Sequence, residues 1–122
     1  GIPTIVGAIR LPKKLNWSDA MEFLLLGESI PAERAHEMGF VWKVCSADEL
    51  IEEANKLAAR LCRSAPLAVR ATKEVATRTQ NMGWIEAVRF GETMRIVANQ
   101  TEDATEGRTA FKEKRKPKWK GN

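Results

Sequence analysis

The sequence is poor in the residues that most often mark chemistry: among 122 residues there are one histidine and two cysteines. Zinc needs three or four N, S or O ligands, and His36, Cys45 and Cys62 form no cluster at ligand spacing, so no metal site is expected. The two cysteines show neither CxxC spacing nor a secreted framework. They read as small buried apolar residues in a reducing, cytoplasm-like compartment. His36 falls mid-helix with no Ser or Cys nucleophile at motif spacing, which argues against a catalytic role. No apolar run approaches the roughly 18 to 20 residues that span a bilayer. The opening "GIPTIVGAI" lacks the basic flank of a signal peptide and reads as buried structure. It also lacks an initiator Met, so a truncated start is expected. Internal repeats, low-complexity stretches and interior linkers are absent as well.

What remains is the pattern of a globular chain of one domain's length, with a modest core. Helical signals dominate. Asn16 or Ser18 can cap "DAMEFLLL", with Gly27 as the left-handed stop. Pro31 opens "AERAHEM", which halts at Gly39. "FVWKV", Phe40 to Val44, is the clearest strand candidate. "SADE" forms a capping box of Ser46 and Glu49. It starts a helix whose apolar stripe of Leu50, Ala54, Leu57 and Leu61 predicts one buried face. Pro66 opens "LAVRATKEVATR", the chain turns near Asn81 to Gly83, and "WIEAVRFGETMRIVANQ" makes a longer helix. Thr101 can cap a last helix, whose acidic first turn (Glu102, Asp103) suits the positive end of the helix dipole. One strand alone leaves its backbone donors and acceptors without partners, so further strands are expected in sequence outside this chain.

Charge is concentrated at one end. From Lys112 onward there are six basic residues against one acidic, which outweighs the net +4 of the whole chain. Such a tail can meet nucleic acid, a membrane surface or a phosphorylated small molecule, or simply solvate a terminus. Trp17, Trp42, Trp84 and Trp119 follow no regular period and read as core and interface residues; Trp119, beside the lysines, could also cover a ligand or a subunit. Glu49, Glu52 and Glu53 read as dipole and solvation charges.

Several segments, in order, resemble the crotonase, or enoyl-CoA hydratase/isomerase, family. "GIPTIVGAIRLPKKL" is similar to the family's segment ending in Arg-Leu-Pro. "AMEFLLLGESIPAERAHEMGFVWKV" is similar to its apolar helix followed by "I-[SP]-A-x-x-A" and "G-[LF]-V". "SAPLAVRATKEV" resembles its "PLA" helix, and "TEDATEGRTAFKEKRKPKWKG" its closing "EDxxEGxxAFxEKRxPxFKG". The pass along the residues gives a mainly α fold of about five or six helices with one or two short β-strands, and the resemblance implies the end of a spiral core followed by C-terminal helices. Residues 1-45 would end the crotonase ββα spiral core, and 46-122 would form a C-terminal helical region for oligomerisation and CoA covering. It implies acyl-CoA substrates, no further cofactor, homotrimers often paired into hexamers, and an upstream half of the same protein as partner.

Relatives hold the thioester oxygen with two backbone N–H groups, a use of preorganised donors. The hydratases among them add water across a 2,3-enoyl bond with two glutamates. Those positions lie upstream of the Arg-Leu-Pro segment, so the resemblance assigns no catalytic residue in this chain. Hydration of an enoyl-CoA is the reaction it most directly implies, although isomerases, thioester hydrolases, carnitinyl-CoA dehydratases and C–C lyases share the fold. It makes Lys114 a contact to CoA phosphates, in a neighbouring subunit. Arg95 stands where some relatives carry an aromatic near the adenine, and a guanidinium can stack on a base or pair with phosphate. After Pro3 the run Thr4, Ile5, Val6, Gly7 departs from the glycine-rich pattern of many hydratases, by packing or by reshaping the acyl pocket. The alternative is a non-catalytic module, binding nucleic acid through the basic tail with Trp119 interleaved or acting as a structural interaction piece; an RNA-binding member of the family gives the former some standing.

Overall fold

The computed structural model describes residues 1–122, as seven α-helices and one 3-10 turn with no strand. The helices are α1 (Ile5–Lys14), α2 (Trp17–Leu26), α3 (Ala32–Glu37), α4 (Leu50–Leu61), α5 (Pro66–Arg78), α6 (Trp84–Asn99) and α7 (Glu102–Lys112). They fall into two compact units, Gly1–Leu50 and Ile51–Asn122. No helix is long and apolar enough to cross a membrane.

In the first unit α1 packs on α2 around Leu11, Leu15, Ala20 and Met38, with Met21, Phe23, Leu24 and Ile30 against them. Asn16 is the cap that α2 uses: its side chain accepts from the Asp19 amide at 3.0 Å, one of the orphan donors of a helix start. Gly27 ends the helix with φ 66°, a left-handed geometry that costs glycine nothing. Arg34 of α3 reaches back to Asp19 at 2.8 Å and Glu22 at 3.1 Å, tying α3 to α2. The opening apolar run forms α1 but is not buried, since Ile2, Ile5, Val6 and Ile9 are all exposed.

The expected strand at Phe40–Val44 does not form. The Phe40 and Val41 amides instead donate to the Ala35 carbonyl, closing the end of α3 around Gly39, whose φ is 76°. The Val41 carbonyl accepts from His36 Nδ1 at 2.9 Å. With local partners for these groups and no neighbouring strand, an extended ladder has nothing to gain. The Phe40 ring instead packs on Phe23, centroids 6.0 Å apart.

In the second unit α5 packs on α6, and α6 on α7. Pro66 occupies the first turn of α5, where its missing N–H is no loss. Ser46 does bond Glu49, hydroxyl to carboxylate at 2.8 Å, but α4 begins only at Leu50, after a turn. The apolar stripe of α4 has no partner here: none of its residues is buried, and Leu50, Ile51 and Leu61 stand open. Trp84, Ile85 and Val88 on α6 are also exposed. An amphipathic face is stabilised by what it packs against, and these residues are left in contact with water.

Candidate functional site

The basic tail does not trail into solvent; it folds back along α7. Thr101 caps that helix, its hydroxyl accepting from the Ala104 amide at 3.1 Å. In the first turn, Asp103 is 1 % exposed and accepts from the amides of Lys120 (2.7 Å) and Gly121 (2.9 Å). Three residues on, and so on the same helix face, Glu106 accepts a forked pair from Arg115 at 2.6 and 2.8 Å. It also takes the Lys118 amide at 2.7 Å. The Glu102 amide donates to the Asn122 carbonyl, and the Glu102 carboxylate pairs with Lys120 Nζ at 2.8 Å. Between these fastenings Trp119 lies against α7 at Gly107, where an added Cβ would stand 3.3 Å from the ring. Its Nε1 donates to the Arg63 carbonyl at 3.0 Å. The result is a clasp: two carboxylates one turn apart hold three backbone amides and one guanidinium.

Its electrostatics follow from those bonds. Arg115 and the Lys118 amide hold the Glu106 carboxyl down at about 2, from an ordinary 4.5. The same pairing, with a further bond from Arg115 to Glu113 at 2.6 Å, pushes the guanidinium pKa up. Glu102 raises that of Lys120. The clasp therefore occupies two of the six basic groups of the tail. Lys112, Lys114 and Lys116 form no ion pair, while the Lys118 ammonium adds a weaker attraction to Glu106.

Among them Lys114 is singular. It is the one non-glycine residue with positive φ, 52°, at the point where α7 ends. The Lys114 amide donates to Phe111 and the Arg115 amide to Ala110, so the chain closes the helix with a left-handed residue. Glycine is the usual occupant of that position; for another L-residue the geometry costs roughly 1 to 2 kcal/mol. Strained residues of this kind cluster at active sites and ligand clamps.

Arg95, the second expected residue, lies on α6 and forks onto Glu92, whose carboxyl it lowers. It borders a groove of about 550 Å³ with Ala71, Val75, Gly91, Met94 and Ala98, a groove that Lys114 does not line. Cys45 is half-buried and Cys62 exposed, so the buried role expected for both holds for neither in full. No group of three or more His, Cys, Asp and Glu is placed to hold a metal ion. The sequence assigns Asp103 only to the helix dipole and gives Glu106 and Gly107 no functional part, because bonds to residues 12 to 18 positions away leave no local pattern.

The sequence profile of the enoyl-CoA hydratase/isomerase family matches residues 1–122. The chain belongs to that family. A carnitinyl-CoA dehydratase of Salmonella arizonae is 38% identical over 125 residues, covering 99% of this chain and 48% of the relative. One from Salmonella typhi is 40% identical over 124 residues, covering 98% and 48%. The chain spans about half the length of the curated relatives it matches. Among solved structures, an enoyl-CoA hydratase/isomerase from Mycobacterium paratuberculosis superposes with TM-score 0.93 at 35% identity, over 100% of this chain and 49% of that one. The enoyl-CoA hydratase of Mycobacterium tuberculosis gives 0.90 at 34% identity, over 95% and 46%. The helical arrangement is thus that of the C-terminal part of crotonase-family enzymes.

Proposed function

We propose that this chain is the C-terminal part of an enzyme acting on acyl-CoA thioesters, with hydration of a 2,3-enoyl-CoA as its reaction. Its share of the work is assembly and contact with the CoA phosphates; the acid–base glutamates and the oxyanion donors belong to an upstream half. Residues 1-45 finish the spiral core of the subunit, and 46-122 carry the helices that oligomerise and cover CoA. The exposed apolar stripes on α1, α4 and α6 support an assembly of this kind, a homotrimer or a hexamer, because the chain by itself leaves them in water.

The observation that carries the reading is Lys114: an ammonium without a carboxylate partner, on a backbone geometry that glycine would occupy more cheaply. The 3′-phosphate and diphosphate of CoA are the charge such a group suits, a point cation against clustered phosphate oxygens. Arg95 is the second contact in this proposal, exchanging Glu92 for phosphate or stacking on the adenine. CoA titrated against the protein by calorimetry tests the reading. Lys114→Ala is expected to weaken binding about five-fold, the equivalent of roughly 1 kcal/mol for a solvent-exposed ion pair. An unchanged affinity removes Lys114 from the site. RNA binding with a steep salt dependence that excess CoA does not compete would favour the nucleic-acid module instead.

A further inference from the structure

The geometry points to Glu106, acting through Arg115, as a positioning residue for the Lys114 cation; the inference rests on the proposed phosphate contact of Lys114. A lysine places its charge at the end of a long stem, so its aim depends on the Cα–Cβ direction at its root. At Lys114 that direction depends on a φ of 52°. If φ returns to the negative region that L-residues prefer, the side chain swings to another side of the chain and the ammonium moves by several ångströms. Hydrogen bonds of the helix end fix the near side, through the Lys114 and Arg115 amides. The far side is fixed by the next residue, whose guanidinium forks onto Glu106 at 2.6 and 2.8 Å. Glu106 then takes the Lys118 amide as well, so one carboxylate restrains the chain immediately after Lys114 and again four residues on.

The charge arithmetic sharpens the role. Glu106 and Glu113 pair with Arg115, and Glu102 with Lys120, while no carboxylate pairs with Lys114. The acidic residues of this end thus pair with the cations that fasten it and leave Lys114 uncompensated, as they do Lys112 and Lys116. Glu106 touches no ligand in this scheme; it keeps the anion-seeking group on its aim.

Adenosine 3′,5′-bisphosphate is the probe, titrated by calorimetry against the protein and its variants, with circular dichroism checking that each is folded. Lys114→Ala should weaken binding about five-fold. Glu106→Gln keeps the shape but loses the charge-assisted fork, and should weaken binding three- to five-fold while leaving Lys114 in place. Arg115→Lys, which preserves charge and removes only the fork, should do the same, and it covers the case in which Glu106→Gln fails to fold. In a Lys114→Ala background both changes should cost nothing further, because there is then no cation to aim; that non-additivity is what a purely structural role would not produce. Losses that multiply in the double variant overturn the positioning role and leave the phosphate reading standing, as does unchanged affinity in Glu106→Gln and Arg115→Lys. A Lys114→Ala that binds like the parent, or a parent that does not bind the probe, overturns the phosphate reading, and the positioning role with it.

Discussion

Replacing Asp103 by alanine is the sharpest probe of the folded-back end. The carboxylate is 1 % exposed and accepts from two amides, those of Lys120 and Gly121, at 2.7 and 2.9 Å. A hydrogen bond to a charged group contributes about 1.5 to 3 kcal/mol net, so the pair sets a ceiling of roughly 3 to 6 kcal/mol. Part of this returns when the last residues are released, since each freed residue regains roughly 1 to 2 kcal/mol of backbone entropy. The amides also find water again. A net destabilisation of about 2 to 3 kcal/mol is expected, within the range left when a charge-assisted pair is removed. Asp103→Asn, which keeps one carbonyl acceptor, should lose about half as much. Amide hydrogen exchange is the assay of choice, because it reads the clasp directly and separately from global unfolding. Protection at Lys120 and Gly121 should collapse in Asp103→Ala, while the Lys118 amide, held by Glu106, and the amides of α5 and α6 keep theirs. Unchanged protection at Lys120 and Gly121 would refute the claim that Asp103 holds them.

Glu106 gives the clasp a pH signature. Its folded-state pKa lies below the ordinary 4.5, at about 2, so its contribution is fully present above about 4.5 and is lost as pH falls toward 2. Trp119, whose ring packs against α7 at Gly107, should report that loss in its fluorescence, and Glu106→Gln should remove the acid transition. The exposed apolar faces make a second expectation: the 122-residue chain should self-associate at micromolar concentration in analytical ultracentrifugation. A monodisperse, cooperatively folded monomer would count against the assembly reading. Gly27→Ala should destabilise α2 by about 1 kcal/mol in thermal melts, because the position needs φ 66°.

Helices were legible wherever a punctuating residue accompanied the periodicity. Asn16, Gly27, Pro66 and Thr101 each do what their chemistry suggests, so the ends of α2, α5 and α7 could be read from the sequence. Two readings misled for the same reason. Burial of the α4 stripe and strand formation at Phe40–Val44 both depend on neighbours, and composition cannot say whether the neighbours are in the chain at hand. The α1 helix is not legible because "GIPTIVGAI" carries no capping side chain and Pro12 sits inside the element. At the candidate site, the lysines and the family pattern were visible from the start. That Asp103 and Glu106 take backbone amides from a returning tail was not, since such bonds join residues up to eighteen apart and leave no local pattern.

In the proposed contact, Lys114 accepts an unfavourable backbone in order to present a cation to CoA phosphates. Lys114→Gly tests it with two readouts from one protein. Glycine relieves roughly 1 to 2 kcal/mol of left-handed strain and gives back part of that in unfolded-state freedom, so the melting temperature should stay level or rise. CoA affinity, measured on the same sample, should fall about five-fold at low salt, with the difference shrinking as salt screens the contact. A variant that gains stability and still binds CoA like the parent would contradict the account.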